Sequence, residues 1–248
     1  KAPILEFDQI RCFMKIGILQ TGHAPDALLA ETGDYDALFR RLLGHHGFDF
    51  RTWSVVDDDP LPDSPSAADG WLITGSKHGA YEDHDWIPPL EDFIRDTYAD
   101  GRPMIGVCFG HQIIAQALGG KVEKFTNGWS IGRTEYDMKG EKLALNAWHQ
   151  DQIVELPEGA EVVASSDFCP YAALAYDTRI WTVQPHPEFG HDFIDGLIRT
   201  RGKGVVPDHQ LEQASAALGG PIDNGRVADM MADFFKTNAK KKTEKERA

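Results

Sequence analysis

The sequence predicts an α/β fold, a three-layer arrangement with a mostly parallel central sheet between helices and a small antiparallel ribbon. Two observations carry that prediction. Apolar runs of strand length alternate with amphipathic stretches through the first half of the chain, as repeated strand–helix–strand units require. The chain has 248 residues, enough for one such domain with a sizeable core.

The elements follow in order. "KIGILQ" (15–20) reads as a buried strand. "DYDALFRRLL" (34–43) places Leu38, Phe39, Leu42 and Leu43 on one helical face, with Gly44 and Gly47 just beyond. "FDFRTWSVV" (48–56) is a second strand, and the Asp/Pro/Ser stretch 57–69 is a loop. "GWLITGS" (70–76) is a third strand. "WIPPLEDFIRDTYADG" is a helix whose prolines suit its first turn. "RPMIGVC" (102–108) is a fourth strand, and "GHQIIAQALGG" its helix, closed by Gly119 and Gly120. After Lys121 the pattern changes. "SIGRTEYDM", "EVVASSD", "YAALAY" and "IWTVQP" read as short strands of an antiparallel ribbon, and helices follow near 191–201 and 224–236.

Composition narrows the function. The formal net charge is −14, from 39 acidic and 25 basic residues, a field that disfavours nucleic acid and anionic membranes. No apolar run approaches the ~20 residues needed to span a bilayer. Three cysteines, Cys12, Cys108 and Cys169, are too few and too scattered for a disulfide framework, so a reducing cytoplasm is expected. Among ten histidines, the pairs His45–His46, His78–His84 and His186–His191 lack carboxylate or cysteine partners at the helix or ribbon spacing zinc wants, so no metal is expected. Neither a phosphate-binding G-x-x-x-x-G-K-[ST] loop nor a G-x-G-x-x-G fingerprint occurs, and no cofactor is expected. Trp71, Trp148 and Trp181 read as core or cleft residues.

The domain organisation is one domain over 14–239. Residues 1–13 precede "MKIGILQ", which reads like a natural start, and are expected to be an expression remnant or an upstream extension. Residues 240–248 are a charged, solvated tail.

The chemistry is concentrated in "GVCFGHQIIAQALGG" (106–120). G-x-C-x-G between a buried strand and a helix has the layout of a nucleophile elbow. Gly106 and Gly110 leave room for a sharp turn that lifts the Cys108 thiol over the sheet edge. The N-terminus of the following helix favours the thiolate there. A second signal is "VQPHPEF" (183–189), where a strand ends and flanking prolines fix His186 and Glu188 two residues apart. A thiol nucleophile needs an imidazole base, and the imidazole benefits from an orienting carboxylate. Cys108, His186 and Glu188 supply these roles.

With "GVCFGHQ" and "HPE" in this order, the sequence resembles the class I glutamine amidotransferases, from about residue 15 to about residue 201. The resemblance implies a flavodoxin-like fold and a Cys–His–Glu triad that forms a γ-glutamyl thioester. It implies an oxyanion hole from the backbone N–H groups of Ser76 and Phe109, in the loop "LITGSKHGAYED" and after the nucleophile. Many relatives carry two glycines where this chain has Gly75 and Ser76. The resemblance further implies substrate contacts by Gly75 and Gln112, and by Gly128, Trp129 and Ser130 of "NGWSIG". His149 and Asp151 of "WHQD" either line the cleft or are structural.

Within the family, "CFGHQ" with "GWSIG" most resembles the stand-alone group near the glutaminase domain of GMP synthetase, which includes γ-glutamyl peptidases. The expected activity is hydrolysis of the γ-glutamyl amide of glutamine to glutamate and ammonia, with a synthetase or acceptor subunit as the partner such a reading allows. The alternative is a partner-independent γ-glutamyl hydrolase or peptidase, and a second is a catalytically idle binding protein. The small-molecule substrate is a γ-glutamyl compound in either enzymatic case.

Overall fold

The computed structural model describes residues 13–246. The expectation for residues 1–13 lies, Phe13 apart, outside the described residues. The central sheet has seven strands in the order β2-β1-β3-β4-β11-β10-β9. These are β1 (Met14–Gln20), β2 (Phe48–Ser54), β3 (Gly70–Ile73), β4 (Met104–Val107), β9 (Ala160–Ala164), β10 (Ala173–Tyr176) and β11 (Ile180–Val183). The first five in that order run parallel, and β10 and β9 close the edge antiparallel. Two antiparallel pairs stand apart from it. One joins β5 (Lys121–Lys124) to β8 (Asp151–Glu155), the other β6 (Ser130–Met138) to β7 (Glu141–His149).

Side chains alternate across the buried strands, as the two-residue period of a pleated strand demands. Ile16, Ile18, Leu72, Ile105 and Val107 share one face with Phe39 and Leu43 of α2 (Tyr35–Leu43) and with Val227, Met231 and Phe235 of α7 (Asn224–Glu246). Trp71 and Ile73 point the other way. They meet Leu90, Phe93 and Ile94 of α3 (Ile87–Asp100) and Ile113 and Ile114 of α4 (Phe109–Ala117). A third cluster joins Leu28 of α1 (Asp26–Thr32), Tyr35 and Leu38 to Phe189, Phe193 and Leu197, the last two on α5 (His191–Leu197). The remaining helix, α6 (Asp208–Ala216), lies against β6. Helix α7 runs on through residues 240–246.

One expected element is corrected. "IWTV" is not part of an antiparallel ribbon alone: β11 pairs parallel with β4, Trp181 opposite Ile105 and Val183 opposite Val107, and antiparallel only with β10. No helical pattern in 121–180 advertises this crossover, because α4 and the two ribbons supply the connection. The strands β5, β7 and β8 and the helices α1 and α6 also go beyond the elements read from the sequence. The β11 placement decides the site. Strands β3, β4 and β11 are neighbours, so their carboxyl ends open together, where parallel α/β sheets hold their ligands.

Candidate active site

Cys108 follows β4 directly and precedes α4. Its backbone has φ 53° and ψ −102°, a region that side-chain-bearing residues rarely enter. Such strain costs of order 1–3 kcal/mol and persists only where the surroundings over-determine it. Here they do. The Cys108 N–H donates to Val183 O at 2.9 Å, Gly110 N–H to Thr74 O at 3.1 Å, and Gln112 N–H to Cys108 O at 3.1 Å. The two glycines of the elbow are required by close approach. A Cβ on Gly106 would meet Gly110 O at 2.4 Å, and one on Gly110 would meet Ile73 O at 2.3 Å. Phe109 is the first residue of α4, so its N–H has no partner within the helix and lies next to the thiol.

His186 and Glu188 come from the end of β11. The chain turns at Pro187, closed by Phe189 N–H donating to His186 O at 3.2 Å, and the turn folds Glu188 back on the imidazole. His186 Nδ1 lies 2.7 Å from Glu188 Oε1. That leaves Nε2 for Cys108, whose sulfur acts on the charge of the ring. The imidazole is anchored on both sides. Its backbone N–H donates to Asn146 O at 2.8 Å, and its ring stacks on Phe189 with centroids 3.9 Å apart and planes within 4°. Burial by itself would lower the His186 pKa, but Glu188 and the Cys108 sulfur outweigh it and raise it to about 10. Gly75, at the end of β3, closes the third side: a Cβ there would lie 3.0 Å from His186 Cε1 and 3.7 Å from Cys108 Cβ.

A cleft of about 370 Å³ opens over this group. Of the residues singled out from the sequence, Ser76, Cys108, Gln112, Trp129, His149, Asp151 and His186 line it. Glu188 stands behind His186, with its second oxygen, Oε2, buried and lacking a hydrogen-bond partner. Gly128 and Ser130 are not in the lining. Gly128 takes φ 99° in the turn before β6, and Ser130 is buried opposite His149 in the β6–β7 register. The Gln112 side-chain nitrogen is already committed, donating to Asp151 O at 2.9 Å and to Gln184 Oε1 at 3.1 Å. Of the tryptophans, Trp148 lines the cleft, and Trp71 and Trp181 are core.

Several lining residues carry no local signal in the sequence. Tyr35 comes from the start of α2, and burial pushes its hydroxyl up to about 12. Arg201 comes from a π-helical turn, Ile198–Gly202, and donates to His23 O at 3.0 Å. From the loop after β3, Tyr81 donates its hydroxyl to Asp151 Oδ2 at 3.1 Å across the cleft mouth. Lys77, Lys124 and Arg201 set positive charge against Glu82 and Asp151, so the lining carries both signs. His149 is buried beside His186. Burial, and then the neighbouring imidazole, lower its pKa to about 3, so it is a neutral group there.

A cysteine on a strained strand–helix elbow, against an imidazole held by a buried carboxylate, is the arrangement of acyl-transfer enzymes that work through a thiol. The profile of the class-I glutamine amidotransferases matches residues 40–196, and the chain belongs to that family. A glutamine amidotransferase-like protein of Schizosaccharomyces pombe is 29% identical over 243 residues, spanning 89% of this chain and 98% of its own. Gamma-glutamyl peptidase 4 of Arabidopsis thaliana is 31% identical over 212 residues, 78% of this chain and 84% of its own. Among solved structures, a glutamine amido transferase from Methylobacillus flagellatus shares the fold. Its TM-score is 0.71 at 23% identity, over 93% of this chain and 95% of that one. Among the described residues no helix is long and apolar enough to cross a membrane.

Proposed function

We propose that the protein hydrolyses γ-glutamyl amides through a thioester on Cys108. The observation that carries this reading is the contact of the strained Cys108 elbow with the His186–Glu188 pair. The thiolate attacks the γ-carbonyl carbon, and the backbone N–H groups of Ser76 and Phe109 receive the oxyanion. His186 gives its proton to the departing nitrogen, the C–N bond breaks, and the γ-glutamyl group stays on sulfur. Water then attacks the thioester, giving its proton to His186, and the C–S bond breaks to release glutamate and the Cys108 thiolate. Glu188 holds the imidazole and stabilises its protonated form. The mixed charges of Lys77, Lys124, Arg201 and Asp151 suit the α-amino and α-carboxylate ends of such a substrate. With the Gln112 nitrogen occupied, contact with substrate falls to its Oε1. Residues 14–239 act as one catalytic domain, in a cytoplasmic setting, with no cofactor.

Glutamine is the first substrate of this reading, released as glutamate and ammonia, with or without an acceptor subunit. A γ-glutamyl peptide is the second. Two observations favour it: the γ-glutamyl peptidase relative, and a cleft of about 370 Å³, within the range that takes ligands larger than glutamine. Glutamate release from glutamine and from a panel of γ-glutamyl peptides tests both, with Cys108→Ala as the control. Loss of release by at least ~10³-fold in that variant is expected. Equal release by the variant would overturn the assignment of Cys108. Turnover of peptides well above that of glutamine would select the peptidase reading.

A further inference from the structure

The loop between β3 and α3 forms one wall of the cleft and carries three side chains that the chemistry above leaves free of a catalytic step: His78, Glu82 and His84. Their ligand atoms all lie within 4.8 Å of one another. His78 Nδ1 is 3.2 Å and His84 Nε2 is 2.8 Å from the same carboxylate oxygen, Glu82 Oε2. The sequence separates these residues by four and two positions, one a helix spacing and the other a strand spacing, so no single regular element would bring all three together. The loop is what makes them converge, and it supplies the carboxylate that the His78–His84 pair lacked on spacing alone.

The donors are held in place. The Glu82 N–H donates to Gly79 O at 3.0 Å, and the His84 N–H to Glu82 O at 3.1 Å. The His78 N–H donates to Ser76 Oγ at 3.1 Å. The His84 ring stacks on Trp86, centroids 5.6 Å apart and planes within 10°, and Trp86 packs against Phe109 at 5.6 Å. Two neutral imidazoles and one carboxylate are a borderline donor set that suits zinc better than magnesium or calcium. The donors of a tetrahedral zinc ion lie about 3.4 Å apart, as bond lengths of about 2.1 Å require, so little movement is needed to admit one.

We propose that this loop is a zinc site at the cleft mouth. Zn²⁺ is bound by His78 Nδ1, Glu82 Oε2 and His84 Nε2, with water in the fourth position. The ring hydrogens then sit on His78 Nε2 and His84 Nδ1. The site does not depend on the reading of Cys108, but a thiol beside an imidazole also binds zinc, so the test must separate the two.

Calorimetric titration of zinc chloride into the full chain carrying Cys108→Ser does so. One ion per chain with micromolar or tighter affinity is expected. His84→Ala or Glu82→Gln in the same background weakens it at least about tenfold. His45→Ala, remote from the loop, leaves it unchanged. Glu82 is exposed, so Glu82→Gln reports on the site even if a histidine variant folds poorly. Cobalt in place of zinc is expected to give a tetrahedral visible spectrum without a sulfur charge-transfer band. Absence of binding in the Cys108→Ser protein, or binding that survives both loop substitutions, would overturn the proposal.

Discussion

At the scale of single residues, His186 is governed by two opposing effects. Burial disfavours its charged form, while the Glu188 carboxylate and the Cys108 sulfur favour it, and they win by enough to carry the pKa from 6.5 to about 10. The imidazole therefore holds a proton for the leaving nitrogen throughout the neutral range. The same shift has a consequence for stability. The unfolded chain binds that proton less tightly, so the contribution is complete below about pH 6.5 and is lost as pH rises through about 10. Glu188→Gln removes the charge but keeps the shape. It is expected to lower the alkaline limb of the glutamate-release profile by ~1–3 pH units, besides slowing release. A profile that drops in height with its limb unmoved would mean that Glu188 does not set the protonation of His186.

At the scale of elements, the junction of β4, Cys108 and α4 is the tightest piece of backbone in the molecule's site. One substitution made at two glycines separates its geometry from general glycine effects. In Gly110→Ala the new methyl meets the β3 backbone at Ile73 O, 2.3 Å away, and β3 leads directly into Gly75 and Ser76. A loss of ~1–3 kcal/mol in urea unfolding is expected, accompanied by lost glutamate release. Gly44 has helical dihedrals and nothing within 4 Å of its added Cβ. Gly44→Ala is expected to be neutral or to stabilise by ~0.5–1 kcal/mol, because it restricts only the unfolded chain. Equal effects at the two positions would remove the structural basis given for the elbow.

At the scale of the whole molecule, buried histidines set the pH of greatest stability. His111, held by Thr182 Oγ1 at 2.7 Å, and His149 are both deep in the fold, and burial lowers each to a pKa of about 3. Below pH 6.5 the unfolded chain takes up protons that the folded one refuses. The contribution of each histidine is whole above that pH and is lost progressively towards pH 3. Between pH 7 and pH 5 each is expected to cost ~1–2 kcal/mol, measured by urea unfolding. His186 weakens the fold on the other side, so stability peaks near pH 6.5. A flat profile from pH 7 to pH 5 would mean that the interior admits charged imidazoles.

What the sequence determined by itself was local. The alternation of strand and helix up to Ala117, the glycines flanking Cys108 and the prolines flanking His186 are all readable, because burial periodicity and tight turns leave marks within a few residues. The charge, the absence of a spanning apolar run and the two motifs needed no coordinates either. Tertiary structure alone decided which strands are neighbours. β11 lies parallel beside β4, and that pairing brings His186 against Cys108 across 78 residues of chain. It also decided that Tyr35, Trp148 and Arg201 reach one cleft, that Gly128 and Ser130 do not, and that Glu82 meets His78 and His84. Long-range pairing is selected by the sum of many burial and backbone hydrogen-bond terms spread over the sheet. No short stretch of residues records that sum, so it becomes legible only when the chain is folded.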